Sequence, residues 1–225
     1  MKQIKIIITG TTGMVGEGVS LECLSSPLVS EVLSVSRKPT GRSHPKLKEY
    51  IVPEFLDLKD GDSRLTGYDA CFFCAGVTSI GKSEAEYTRI TYDTTIHFAQ
   101  ILTAQNPHMT FIYVSGAGTD SSEKGRSMWA RVKGRTENKL MTLPFGKVHN
   151  FRPGFMKHIP GQKYLLPAYK YVGWLYPVVK VAFPNSASTL SQVAQAMIQC
   201  ATTDVDKTIL EVRDINGLAP ANGKG

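Results

Sequence analysis

The segment Ser127-Met128-Trp129-Ala130-Arg131-Val132-Lys133-Gly134 sets an aromatic residue four positions before a lysine. Residues i and i+4 share one face of a helix, so these two side chains point the same way. A tyrosine in the aromatic position would form a proton-donor pair with the lysine. Tryptophan does not, because its indole N–H donates hydrogen bonds but has no proton to release near neutral pH. The stretch therefore retains a positioned cation and lacks the acid.

A second constellation lies near the start of the chain. The run Lys5–Thr9 reads as a buried strand and leads into Gly10-Thr11-Thr12-Gly13-Met14-Val15-Gly16, after which a helical pattern begins. A strand, a Gly-x-x-Gly-x-x-Gly turn and a helix together form a phosphate-binding arrangement. Gly10 makes the tight turn, Gly13 lets the backbone approach a pyrophosphate, and Gly16 lets the helix pack on the sheet. The phosphates then meet the N–H groups and positive dipole of the helix N-terminus. Thr12, Met14 and Val15 complete the cofactor-contacting loop. The second strand ends in Ser34-Val35-Ser36-Arg37-Lys38. An NAD site often carries an acid near Ser36 for the ribose hydroxyls. Here two cations follow instead, which suits a 2′-phosphate held by Arg37 with added charge from Lys38. The expected cofactor is NADP, with NADPH preferred over NADH.

Positioning such groups takes a sheet, and apolar runs alternating with helical patterns predict parallel βαβ units. Strands are expected at Lys5–Thr9, Glu31–Ser36, Glu49–Val52, Ala70–Cys74, Thr110–Val114, Val148–Phe151 and Thr208–Arg213. Helices are expected at Val15–Ser25, Ser83–Gln105, Lys124–Thr142 and Leu190–Ala201. The long helix opens with the capping-box spacing Ser83-Glu84-Ala85-Glu86. After Arg152-Pro153-Gly154 the alternation breaks. The stretch of about 155–189 carries Tyr164, Tyr169, Tyr171, Trp174 and Tyr176, and reads as a lobe inserted into one domain spanning 1–225.

Composition narrows the function classes. The 225 residues are 42% hydrophobic and 20% charged, as in an ordinary globular domain. The net charge of +7 gathers around residues 37–48 and 124–139, and apart from Trp129 neither stretch has aromatics interleaved as a nucleic-acid stacking surface would. That favours a phosphorylated small molecule and disfavours nucleic acid. Cys71 and Cys74 match C-x-x-C by letter, but on a strand they point to opposite faces and read as core. The N-terminus is too short for a signal peptide. The apolar stretch from Tyr164 to Phe183 is broken by Pro167, Lys170, Pro177 and Lys180, which argues against a membrane span. The expected location is the cytoplasm.

These motifs resemble the short-chain dehydrogenase/reductase superfamily. They are most similar to its atypical, NAD(P)-binding, epimerase-like branch, which includes the Tat-interacting-protein group. The resemblance runs from Ile4 to about Gly154 and more weakly to Ile215. It implies an α/β fold, a Rossmann-type doubly wound parallel sheet flanked by helices, with a small aromatic-rich C-terminal lobe. It further implies that Asp57 and Leu58 contact the adenine and that Ala75, Gly76 and Val77 line the ribose and the approach to the nicotinamide. Pro153 and Gly154 would abut the ring. Ser115 would polarise a substrate carbonyl, and Lys133 would hold the nicotinamide ribose. Asp93 matches a polar relay position weakly. Trp129 departs from the family's Tyr-x-x-x-Lys. The nearest upstream tyrosine, Tyr113, falls inside a strand and is expected to be packed. His149, His158 and the loop residues Thr119, Asp120, Ser121, Ser122 and Glu123 are other candidate donors.

Three functions follow as expectations. One is an NADP(H)-dependent oxidoreductase or nucleoside-sugar-epimerase-like enzyme without the usual tyrosine. Another is a non-catalytic NADP(H)-binding regulator or sensor. The third is an NADPH-dependent flavin or quinone reductase, with Trp129 as a stacking wall. The partners expected are the dinucleotide and an unknown small molecule, and a homo-oligomer is compatible with the sequence.

Overall fold

The computed structural model describes residues 3–165, 176 and 185–219. Its centre is β1 (Ile4–Thr9), an isoleucine-rich strand with only Lys5 exposed. A strand covered on both faces reads as a continuous apolar run rather than an alternating one. Ile6 and Ile8 enter the core under one face, and Ile7 enters the core under the other.

On one side β1 pairs with β2 (Val29–Ser36), which pairs with β3 (Leu47–Ile51). On the other side it pairs with β4 (Ala70–Phe73), followed outward by β5 (Thr110–Val114), β6 (Lys147–Arg152) and β9 (Ile209–Glu211). Every pairing is parallel, and the order is β3-β2-β1-β4-β5-β6-β9. The chain winds outward from β1, then returns to wind the other way. The switch point therefore lies between β1 and β4, where the carboxyl ends of the strands leave a crevice. This is the expected Rossmann-type sheet. β7 (Phe155–Lys157) and β8 (Ala187–Thr189) form a separate two-stranded parallel sheet.

Helices cover both faces. Val19 and Cys23 of α1 (Met14–Ser25) pack with Val193 and Met197 of α5 (Leu190–Thr202) on the Ile6–Ile8 face. Phe98 and Leu102 of α3 (Thr94–Gln105) and Leu140 of α4 (Met128–Leu140) cover the Ile7 face.

Four expected elements are redrawn. The helix expected over Ser83–Gln105 does start with a Ser83–Glu86 capping box, but it is divided into α2 (Glu84–Thr88), a π turn at Arg89–Asp93, and α3. At that junction the hydroxyls of Thr94 and Thr95 donate to the carbonyls of Arg89 and Thr91, back-bonding that loosens a helix. α4 starts at Met128 rather than Lys124. The preceding residues are held in a turn by the Asp120 carboxylate, which accepts from the amides of Ser122 and Gly125. The last strand stops at Glu211, because a Glu211–Asp214 capping box starts α6 (Val212–Leu218). Within 155–189, β7 and β8 were not expected, and Tyr169, Tyr171 and Trp174 lie outside the described residues.

Cys71 joins the core on one face and Cys74 packs against the core on the other. Burial pushes both thiols up, Cys74 to about 12. Among the described residues no helix is long and apolar enough to cross a membrane, and no cluster of metal-ligating side chains occurs.

Gly16 shows how closely the first helix sits on the loop before it. A Cβ there would lie 2.2 Å from the Gly10 carbonyl oxygen, whereas one on Gly76 would meet nothing within 4 Å. Backbone cannot move aside as a flexible side chain can. Gly16→Ala is expected to cost about 2 kcal/mol in urea unfolding. Gly76→Ala should stay within about 0.5 kcal/mol of the parent.

Candidate functional site

Most of the expected site residues converge on the carboxyl edge of the parallel sheet. At the switch point Gly10 adopts φ +72°, and its backbone presses against the loop after β4, where a Cβ would lie 2.7 Å from Ala75 N. The Ala75 amide donates to Thr9 Oγ1 at 3.1 Å, and the Gly13 amide donates to Gly10 O at 2.9 Å. Gly13 is the N-cap of α1 and supplies no side-chain cap. The first amides of α1 thus have no side-chain acceptor of their own, the condition for receiving a phosphate. The uncapped amides and the bare cradle at exposed Gly13 fit a dinucleotide. Met14 is the first residue of α1, just behind this loop. Its side chain is buried, and its carbonyl accepts from Gln162 Nε2 at 2.7 Å.

At the end of β2 the Ser36 hydroxyl donates to Lys38 O at 2.7 Å, closing the turn that carries Arg37 and Lys38. Both cations are exposed and neither has an ion-pair partner among the described residues. Asp57 is exposed after β3. Leu58 is buried, and its carbonyl bonds His97 Nε2 at 2.9 Å. Gly76 and Val77 stand at the mouth of the crevice. Pro153 is buried at the far side, and its carbonyl accepts from the Ala117 amide at 3.0 Å.

Around Lys133 the structure shows a buried polar network. Glu137, one turn further along α4, is 0% exposed. Its carboxylate takes the guanidinium of Arg152 as a two-pronged fork, with Arg152 Nε donating to Oε1 at 3.0 Å and Nη2 donating to Oε2. Arg152 also donates to Glu211 Oε1 at 3.1 Å and to Ser121 Oγ at 2.5 Å. The Ser115 hydroxyl lies 2.5 Å from Glu137 Oε1 and 3.1 Å from the Phe151 carbonyl. Both acceptors lie inside the fold, and Ser115 itself is buried. The Lys133 ammonium donates to the Ser115 carbonyl oxygen. Burial draws its pKa down to about 8, partly offset by the Glu137 charge.

The remaining candidate donors are placed as follows. Tyr113 is fully buried, bonded to Thr136, with its phenol pushed up by desolvation. His149 has the same strand parity as Phe151, which packs with α1 and α5, so it faces away from α4. Its Nδ1 lies 2.8 Å from Lys207 O, and burial lowers its pKa. His158 lies after β7, with its Nδ1 buried and without a partner among the described residues. Asp93 is exposed in the π turn. In the loop before α4, Thr119 bonds Gly116 O, Ser122 bonds Asp120, Asn138 bonds Glu123, and Arg152 bonds Ser121. Trp129 stands half-buried over this loop, with Cη2 3.6 Å from where a Cβ on Gly118 would be.

Glu137 and Arg152 escaped attention as functional residues in the sequence. The available signal was a glutamate four residues after Lys133 on an otherwise buried face, and an arginine opening Arg-Pro-Gly.

Fold and site together define a Rossmann-type protein of the short-chain dehydrogenase/reductase superfamily, with its dinucleotide crevice on the carboxyl edge of the sheet. Residues 6–126, more than half of the chain, match the model of the NAD dependent epimerase/dehydratase family, and the chain belongs to that family. Among curated relatives, Protein HTATIP2 of Rattus norvegicus is 25% identical over 160 residues, covering 69% of this chain and 64% of that protein. Protein fmp52, mitochondrial, of Aspergillus clavatus is 28% identical over 165 residues, covering 70% and 68%. The match thus spans less than two thirds of the rat protein's length. Two solved structures share the fold. MoeE5 in complex with UDP-glucuronic acid and NAD gives a TM-score of 0.69 at 14% identity over 94% of this chain and 79% of that one. A short chain dehydrogenase from Burkholderia cenocepacia J2315 in complex with NADP gives 0.64 at 12% identity over 98% and 94%.

Two outcomes follow from the buried network. Glu137→Leu strands the Arg152 guanidinium and is expected to cost about 3–5 kcal/mol in urea unfolding. The double variant Glu137→Leu/Arg152→Met should recover most of that loss. Lys133 supplies the second. Its pKa in the folded chain is about 8, against 10.5 for an ordinary lysine, so between those values the unfolded chain holds a proton that the folded chain has released. Stability therefore gains from this group as pH rises through the window, by up to about 1.4 kcal/mol per pH unit. Comparing unfolding curves of the parent and Lys133→Met from pH 7 to 10.5 isolates the effect, and parallel pH profiles would refute it.

Proposed function

We propose that this chain binds NADP(H) in preference to NAD(H) and is an oxidoreductase of the atypical short-chain dehydrogenase/reductase kind in which no tyrosine supplies the proton. One observation carries the cofactor choice. Arg37 and Lys38 are exposed at the end of β2 without ion-pair partners among the described residues, and Ser36 is turned onto the Lys38 carbonyl. Two uncommitted cations at that place suit a 2′-phosphate.

The residues present would hold the dinucleotide as follows. Gly10, Thr12, Gly13, Val15, Gly16 and the Met14 backbone take the pyrophosphate. Asp57 and Leu58 flank the adenine, while Ala75, Gly76 and Val77 line the ribose. Pro153 and Gly154 abut the nicotinamide, and Lys133 reaches its ribose. The cofactor, when bound, donates or accepts a hydride. Lys133 holds a proton at Nζ close to physiological pH. Trp129 offers an aromatic wall above the loop after β5. An acceptor whose reduction needs stacking rather than a strong acid, a flavin or quinone ring, suits this arrangement better than a carbonyl does.

A second reading, a cofactor-binding regulator without turnover, draws on the same network. Ser115, Thr119 and Ser122 donate their hydroxyl protons within the fold, and Ser121 accepts from Arg152. Screening quinones, flavins and carbonyls for NADPH oxidation separates the two. As for location, the buried free thiols suit a reducing compartment, and we place the protein in the cytoplasm. Fractionation against a mitochondrial marker tests this.

Calorimetric titration is expected to show tighter binding of NADPH than of NADH. Arg37→Ala should weaken NADPH by about tenfold and leave NADH unchanged. Equal affinities in the parent would sink the cofactor assignment.

A further inference from the structure

Glu17 follows the glycine loop directly, in the first turn of α1, and is only 2% exposed. A buried carboxylate persists only where donors converge on it. Arg42 donates to Glu17 Oε1 through Nε at 3.2 Å and Nη2 at 2.5 Å. The amide of Lys163 lies 2.9 Å from each carboxylate oxygen, and the amide of Tyr164 donates to Oε2 at 2.7 Å. These donors come from two segments far apart in sequence. One is the loop after β2, and the other is the strap 159–164 that follows β7.

The same two segments are also bonded to each other. Arg42 Nη2 donates to Gly161 O at 2.7 Å, Lys163 Nζ to Gly41 O at 3.1 Å, and the Tyr164 hydroxyl to Thr40 O at 3.5 Å. The strap is further fixed to the glycine loop, since Gln162 Nε2 donates to Met14 O at 2.7 Å. On its other side the β2 loop is anchored where the Thr40 amide donates to Glu49 Oε1 at 2.7 Å. The loop secured in this way is the one that presents Arg37 and Lys38.

We propose that Glu17 and Arg42 are a positioning pair that sets the preference for the 2′-phosphorylated dinucleotide. By docking the strap on the β2 loop, they hold the Arg37–Lys38 turn in place before the ligand arrives. Ordering a loop in advance removes that cost from binding. The saving accrues only to a ligand that uses the loop's cations, so NADH does not share it. This inference rests on the NADP(H) reading above.

Titration of NADPH and NADH against the full chain, its Glu17→Gln variant and its Arg42→Gln variant tests the proposal. Circular dichroism and melting confirm that each variant is folded, and Arg42→Lys serves if either is not. The expected result is a loss of about tenfold for NADPH with NADH within about twofold of the parent. Amide exchange at Lys163 and Tyr164 should also quicken in Glu17→Gln. Equal losses for both dinucleotides would mean that the pair merely supports the fold, and would overturn the proposal. An unchanged affinity ratio, or unchanged exchange at the two amides, would overturn it too. A parent chain with no preference overturns the NADP(H) reading itself. A parent preference that survives in both variants overturns only the positioning pair.

Discussion

The fork between Arg152 and Glu137 organises the site half of the molecule. Glu137 belongs to α4 and Arg152 ends β6, so the ion pair fixes the helix at one height over the sheet. Through Ser121 it anchors the loop between β5 and α4, and through Glu211 it reaches the end of β9. Lys133 and Trp129 ride on the same helix and take their positions from that register. A charge pair this deep is weak evidence for stability by itself, because desolvation consumes much of the attraction. Its effect is to single out one packing of α4, since any slide of the helix would leave two charges unpaired away from water.

Both polar centres obey the same rule. Glu17 on α1 and Glu137 on α4 are buried carboxylates one helical turn or less from a residue expected to face the cofactor. Each is satisfied by an arginine from the carboxyl edge of the sheet or the loop beyond it. A Rossmann-type crevice needs loops that approach one another closely without collapsing. A carboxylate below the surface that gathers amides and a guanidinium holds loops at defined separations. Apolar packing fixes separations less strictly, because it is not directional.

Legibility in the sequence followed the range of the interactions. The central strands were readable because double burial makes each a contiguous apolar run, and Thr110–Val114 matches its observed bounds. The glycine loop was readable because turn, close approach and helix start all lie within seven adjacent residues, Gly10 to Gly16. The same holds for the Ser83 capping box. Glu17 and Glu137 were opaque for the opposite reason. Their partners lie 25 and 15 positions away or more, so neither carboxylate carries a local mark of its burial. Ser115 was readable as a position, whereas its bond to Glu137 was not, because that partner lies 22 positions away. α6 was misjudged because an apolar trio suited a strand, while the deciding signal was the polar capping pair Glu211–Asp214.

The small sheet of β7 and β8 has a consequence for how this fold can diversify. Phe155 pairs with Ala187 and Lys157 with Thr189, so the chain leaves β7 at one end of the small sheet and enters β8 at the other. The described start of that excursion, the strap 159–164, is bonded to Glu17, Arg42 and Met14. Because the two strands run parallel, the excursion must travel back along the strand length before re-entering, which sets a minimum of about a dozen residues. A different substrate cover could therefore be grafted only beyond the strap, since residues 159–164 hold the loop that presents Arg37 and Lys38.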